Sequence, residues 1–162
     1  NPEPDSYVTY NYAENVWTVG SLDRNVWLDA QGFRNVPFAF DGDGRLYNHE
    51  SGNSNNGSAM NCFIESGELE IDETGNRTFL IDKIVPDATL TSDTNLLVEF
   101  KSRKYPNGTE TTKGPFTITS TTQKVSTRVK GRQISIKYSS SGVNDDWSLG
   151  DFRINAQEDS FR

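Results

Sequence analysis

The sequence has one cysteine, Cys62, and one histidine, His49. A single cysteine excludes an internal disulfide framework, and this pair alone excludes a zinc site built mainly from Cys and His. No apolar run approaches the roughly 20 residues that a membrane-spanning helix requires. We therefore expect no metal site and no membrane span.

Positive charge is also scarce, because 16 Lys and Arg face 23 Asp and Glu, for a net charge of -7. A phosphate backbone would be repelled on average, so we expect no sequence-specific nucleic-acid binding. The chain lacks Gly-x-x-x-x-Gly-Lys, and it lacks Gly-x-Gly-x-x-Gly after a strand. These absences leave nucleotide cofactors unsupported, and we expect no cofactor.

Alanine, the best helix former, occurs 6 times, whereas threonine occurs 15 times and valine 10 times. Many short strands need many turns, and 15 Asn, 16 Ser and 13 Gly supply residues that tolerate tight backbone reversals. No segment of ten residues has a helical period. The composition predicts an all-β protein with a lean core.

A stretch without any apolar residue, residues 51–58, is the best candidate for a boundary. We predict a β-meander resembling one propeller blade over residues 1–52, a linker at 53–58 and an antiparallel β-sandwich over 59–162. The meander has strands predicted at 7–12, 15–20, 35–40 and 45–49. The sandwich has strands predicted at 60–71, 77–85, 95–105, 115–119, 124–129, 133–139 and 147–156.

Alternation of apolar and polar residues supports this assignment most clearly over residues 133–138, where Ile134, Ile136 and Tyr138 share one face. Glu68, Leu69, Glu70, Ile71 and Asp72 alternate in the same way, as expected of a half-exposed strand.

Several acidic residues are candidates for catalytic groups or metal ligands. Glu65, Glu68, Glu70 and Asp72 offer paired carboxylates of the kind that glycoside hydrolysis uses, but a solvated strand face explains them more simply. The segment 41–44 imitates the start of a calcium loop, yet Arg45 stands where a further ligand is required, so a hairpin turn is favoured. The segment 144–146 is likewise a turn first and a weak cation site second.

His49 and Cys62 could form a base and a nucleophile, but no Gly-x-Ser-x-Gly elbow accompanies them. A packed or surface histidine and a buried small thiol are the simpler interpretation. We predict no catalytic residue, and the chain is expected not to be an enzyme.

Five residues are candidates for a structural or interaction role: Trp17, Trp27, Trp147, Arg128 and Arg132. Each tryptophan either anchors a small core or presents a stacking surface, and the core is favoured. The two arginines, with Lys130, surround Gly131 and could meet an acidic partner or a phosphate, or form a charged turn. Pairing of these arginines with Glu50 or Glu65 is a further hypothesis.

An ordered series of short motifs runs through most of the chain. They are 17–20 (WTVG), 25–29 (NVWLD), 44–52 (GRLYNHESG), 58–60 (SAM), 64–67 (IESG), 85–87 (VPD), 128–132 (RVKGR) and 147–150 (WSLG) with Arg153. This series resembles the carboxy-terminal part of the packaged-DNA stabilisation or tail accessory proteins of short-tailed bacteriophages. The chain also begins at Asn1 without Met, and we expect a fragment or processed piece of a longer protein.

The resemblance implies a non-enzymatic structural protein of the virion, located in the tail. Such a protein assembles with copies of itself as a ring at the head-tail junction or tail tube, beside portal, adaptor or other tail proteins, and helps to retain DNA. The alternative is a carbohydrate- or receptor-binding β-sandwich, favoured by the tryptophans and the Asn-rich loops. A glycosidase using Glu65 or Glu70 is the third hypothesis.

Overall fold

The computed structural model describes residues 5–30, 32, 34–70, 77–91 and 93–159. Over these ranges the regular structure is entirely β-strand, and every strand pairing is antiparallel. The prediction of an all-β protein is therefore confirmed. No helix that could cross a membrane occurs in these residues. The chain divides into two compact units, Asn1–Gly52 and Asn53–Arg162.

The first unit contains five strands: β1 (Ser6–Asn11), β2 (Val16–Ser21), β3 (Val26–Leu28), β4 (Phe38–Phe40) and β5 (Leu46–Asn48). Strands β1 and β2 form a hairpin, and β3, β4 and β5 form a three-stranded meander. A propeller blade is one four-stranded sheet, whereas these strands divide between two sheets, so the likeness to a blade stays a prediction.

Both hairpin turns expected in this unit are present. In the first, Asn15 has a φ of 56°, and the side-chain oxygen of Asn11 accepts the backbone N–H groups of Ala13 and Glu14. In the second, Gly44 has a φ of 79° and donates its backbone N–H to the carbonyl of Asp41. Positive φ explains why Asn and Gly stand at these positions.

Little of the first unit is buried. Phe38 and Ala39 on β4 are its buried apolar residues among those described, and both strands of the β1–β2 hairpin are almost entirely exposed. The core of this unit is correspondingly thin.

The second unit opens with a tight turn inside the predicted linker, where Asn55 and Ser58 exchange two backbone hydrogen bonds of 2.9 Å. Asn56 and Gly57 occupy its centre with φ values of 50° and 81°. An Asn-Gly pair is the usual choice for such a turn, because both residues tolerate positive φ.

Nine strands follow: β6 (Cys62–Glu65), β7 (Thr78–Val85), β8 (Ala88–Leu90), β9 (Leu96–Arg103), β10 (Thr111–Ile118), β11 (Val125–Gly131), β12 (Gln133–Ser140), β13 (Trp147–Leu149) and β14 (Arg153–Asp159). One sheet has the order β10-β9-β12-β6, and a second has the order β11-β7-β14. Strands β8 and β13 form a separate pair.

The two larger sheets share one hydrophobic core, which makes the arrangement sandwich-like. The four-stranded sheet contributes every second residue of β9 and β12. The three-stranded sheet contributes three residues of β7 and two of β11, whose spacing is interrupted by a shift of register between these two strands. The buried residues are Phe79, Ile81, Ile84, Leu96, Val98, Phe100, Ile118, Val125, Val129, Ile134, Ile136 and Tyr138. The side chains predicted to share a face over residues 133–138 are all in this core.

The single strand predicted over 147–156 is wrong, because the chain forms β13 and β14 there, and these belong to different sheets. The break lies at Gly150, whose backbone N–H donates to the carbonyl of Asp87 at 2.7 Å. This bond ties the segment to the residue that precedes β8, and the chain then pairs with β7 from Arg153 onward. The apolar residues on both sides of the break conceal it in the sequence.

Replacing Phe100 by alanine tests the core. Phe100 is fully buried, so Phe100→Ala should lower the free energy of unfolding of the second unit by about 3–5 kcal/mol. Val143→Ala, at an exposed loop position of the same unit, should change it by about 0.5 kcal/mol or less. Urea unfolding followed by circular dichroism measures both, and equal costs would contradict the assigned core.

Candidate functional site

The three predicted tryptophans have different environments. Trp147 packs against the core of the second unit, and its indole N–H donates to the hydroxyl of Ser140 at 2.9 Å. Trp17 and Trp27 are 66% and 51% exposed. The preference for core positions therefore holds for Trp147 and fails for the other two. Exposed tryptophans of this kind can stack on a ligand or a partner.

The two predicted arginines lie on β11 and in the one-residue connection from β11 to β12. Arg128 is on β11, and Arg132 follows that strand with its guanidinium 5.6 Å from the ring centre of Tyr105. The proposed partner Glu65 instead lies 2.5 Å from the ammonium of Lys101. Glu50 belongs to the first unit. Neither arginine forms an ion pair within the described residues.

Three of the acidic candidates, Glu65, Glu68 and Glu70, meet cations or an amide of the four-stranded sheet. The hydrogen bond to Glu65 raises the pKa of Lys101. Glu68 accepts from Arg103 at 2.8 Å, and Glu70 accepts from the side-chain amide of Gln133 at 2.6 Å. Each of these three carboxylates therefore has a partner of its own beside the sheet. Asp72 lies outside the described residues.

The other candidates for a metal site or a catalytic pair are Asp41, His49 and Cys62. The carboxylate of Asp41 accepts the backbone N–H of Arg45 and the hydroxyl of Tyr47, so it is engaged in its own hairpin. Within the ranges the structure describes, no three His, Cys, Asp or Glu side chains are grouped to hold a metal ion. Cys62 is exposed on β6 of the second unit, whereas His49 belongs to the first.

A groove of about 620 Å³ in the first unit is the strongest candidate site. The β1–β2 hairpin contributes one wall, and residues around the ends of β3 and β5 contribute the other. The side chains that matter for its chemistry are Tyr7, Thr9, Arg24, Trp27, His49 and Glu50. Its volume is within the range of small-molecule sites, which are concave and combine aromatic groups with a few polar ones.

His49 is the centre of the second wall. Its ring lies 4.5 Å from that of Trp27, and its Nε2 accepts a hydrogen bond of 3.1 Å from Nε of Arg24. The guanidinium of Arg24 lies 4.0 Å from the ring centre of Tyr47, a cation–π contact that holds it in place. A nitrogen that accepts cannot carry a proton, so the geometry requires neutral His49 protonated on Nδ1.

Local strand pairing brings these residues together. Trp27 on β3 pairs with Ala39 on β4, which pairs in turn with Tyr47 on β5. The backbone N–H of His49 donates to the carbonyl of Pro37, which extends the ladder past the end of β5. Trp27 and His49 therefore belong to the two opposite edges of the meander, and their rings meet across β4.

Sequence reasoning did not identify Arg24 or Tyr7 as members of a site. Arg24 stands in a polar connection, and Tyr7 resembles any other outward strand residue. No short motif marks either of them, because their neighbours in the groove come from other strands.

Comparisons with known proteins give no assignment: neither a scan against protein-family models nor a search of the curated proteins finds a match to this chain.

The groove predicts a lowered pKa for His49. Burial, and then the positive charge of Arg24, lower the pKa of His49 below its ordinary value of 6.5. The protein has one histidine, so a proton NMR titration of its ring measures this pKa directly. Arg24→Met should raise it, whereas Arg34→Met should leave it unchanged. A wild-type pKa at or above 6.5 would contradict the Arg24–His49 contact.

The lowered pKa of His49 also determines how the stability of the folded protein depends on pH. Because the folded pKa is below the unfolded one, the unfolded chain binds more protons between the two values. The contribution of His49 to stability is complete above about pH 6.5 and is lost as the pH falls through its folded pKa.

Proposed function

We propose that the protein is a non-enzymatic structural component of a phage tail. It assembles with copies of itself as a ring at the head-tail junction or in the tail tube, beside portal, adaptor or other tail proteins, and helps to retain DNA. The ordered motifs that resemble tail accessory proteins support this proposal. The physical observation that carries it is an uncovered apolar face on the first unit.

That surface, here called the hairpin face, consists of Val8 and Tyr10 on β1 with Trp17 and Val19 on β2. Val8 pairs with Val19, and Tyr10 pairs with Trp17, so the four side chains form two adjacent rows. The Tyr10 and Trp17 rings stack at 4.5 Å. Their exposed fractions nevertheless run from 43% to 77%. Strand alternation directs them away from the groove that Tyr7, Thr9 and Thr18 line.

The hairpin face has an energetic reason to be covered. A two-stranded hairpin is marginally stable in water, and contiguous exposed apolar surface marks an interaction site. Complete burial of one large apolar side chain contributes about 1.5–3 kcal/mol, so four half-exposed ones offer several kcal/mol to an interface. In a ring, each copy presents one surface to the next, and contacts of this head-to-tail kind close into a ring when the rotation between copies returns to the first one.

The second unit is suited to a rigid scaffold. Its two sheets enclose one continuous apolar layer, and Glu65, Glu68 and Glu70 are engaged in ion pairs or hydrogen bonds with residues of its four-stranded sheet. A continuous apolar layer of this kind favours a rigid domain, and this supports a structural role.

Ring assembly is tested by placing a charge on the hairpin face. Native mass spectrometry and electron microscopy of the wild-type protein should show one closed ring, and Val19→Glu should shift it to monomers because a charge resists burial. Val143→Glu adds the same charge at a 54% exposed position of the second unit and should leave the ring intact. Wild-type monomers at every concentration, or absence of the protein from purified virions, would overturn the proposal.

The groove favours a second candidate function, recognition of a carbohydrate or a receptor. Tyr7 and Trp27 offer aromatic surface, while Glu50 and the hydroxyl of Thr9 offer hydrogen-bonding groups beside it. Saccharides combine apolar C–H faces with hydroxyl groups. Aromatic rings beside hydrogen-bonding groups can contact both parts of a saccharide.

A glycan array, with and without calcium, tests this second candidate. Trp27→Ala should weaken any observed binding about tenfold or more, equivalent to about 1.4 kcal/mol. Tyr12→Ala is the control, because Tyr12 is 85% exposed, belongs neither to the hairpin face nor to the lining of the groove, and should leave binding unchanged. An array without hits, or equal losses in the two variants, would remove this function.

A further inference from the structure

A second concave site lies in the second unit, between the connection from β9 to β10 and strand β11. Its volume is about 450 Å³. Four cationic residues line it: Lys104, Lys113, Arg128 and Lys130. Its other lining residues include Tyr105 and the hydroxyl-bearing Thr109 and Thr111, and none is acidic. We call it the basic pocket. In a chain with a net charge of -7, this concentration of positive charge is a local exception.

Backbone geometry holds one side of the pocket. Gly108 donates its backbone N–H to the carbonyl of Tyr105 at 2.8 Å, which closes the turn after β9. A side chain at Gly108 would approach that same carbonyl to about 3.1 Å, so glycine suits this turn. The turn leaves Tyr105 55% exposed, with the guanidinium of Arg132 over its ring.

Two of the cations are positioned by hydrogen bonds. The ammonium of Lys113 donates to the backbone carbonyl of Arg128 at 2.8 Å, and so links β10 to β11. Lys130 lies 2.8 Å from the carboxylate of Asp159, which partly neutralises it. Lys104, Lys113 and Arg128 have no carboxylate partner among the described residues. Three positive charges thus line one cavity without compensation.

Like charges in a concave site raise its local potential and attract a counter-ion. Phosphate and sulfate groups present several acceptor oxygens, and these match donors that converge from several directions. The cavity volume falls within the range of small-molecule sites. A long polyanion would also meet the negative field of the rest of the protein, which disfavours it.

We propose that the basic pocket binds a compact ligand of sugar size that carries a phosphate or sulfate group. The cations hold the oxyanion, and Thr109, Thr111 and Tyr105 contact the body of the ligand. This site is separate from the groove of the first unit and does not depend on ring assembly.

Calorimetric titration with glucose 6-phosphate, glucose 6-sulfate and glucose tests the proposal and distinguishes the two sources of the oxyanion. At least one of the two charged sugars should bind saturably at 0.15 M salt, and glucose should not bind. Lys104→Gln and Arg128→Gln should each weaken the interaction about tenfold or more. Lys124→Gln removes the same charge from an exposed residue outside the pocket and should change the affinity less than twofold.

Circular dichroism establishes that each variant is folded. Arg128→Lys keeps the positive charge, so it should retain more affinity for the charged sugar than Arg128→Gln does. Equal weakening by Lys124→Gln and Arg128→Gln would show a diffuse field and overturn the proposal. Binding of sulfated polysaccharide or single-stranded oligonucleotide, without binding of either charged sugar, would overturn it as well.

Discussion

The structure of the second unit depends on one apolar layer between two sheets. Alternate residues of β9 and β12 point into it, and Val98, Phe100 and Ile134 are fully buried there. The layer is dry enough that burial raises the pKa of Tyr138 to about 12. Because the inward positions are nearly all apolar, the polar chemistry of this unit is placed on its outer surfaces and at the ends of its strands.

The first unit, in contrast, has little buried interior to stabilise it. Its described core contains Phe38 and Ala39, and its hairpin has one face in the groove and one face open. A unit of this kind is stabilised by what lies against it, whether a neighbouring copy or a bound ligand. The exposed aromatic residues are thus understandable as contact surface, and this links the thin core to the proposed assembly.

The two concave sites differ in the interactions that they offer. In the groove, Arg24 is occupied by His49 and Tyr47, so aromatic surface and neutral donors dominate. In the basic pocket, uncompensated positive charge dominates, and the aromatic group is secondary. One site suits an uncharged ligand and the other an anionic one. A single chain that is acidic overall can therefore present two separate kinds of recognition.

Composition and alternation by themselves determined the fold class, because residues two apart on a strand share a face and the pattern over 133–138 separates buried from exposed positions. The tertiary structure decided which strands are neighbours, and a one-residue change of register would turn every side chain to the other face. Arg24 meets His49 across 25 positions, and Lys113 meets Arg128 across 15. The basic residues of the 128–132 segment marked one side of the basic pocket in the sequence, but the pairing of distant residues that completes either site follows from no local motif.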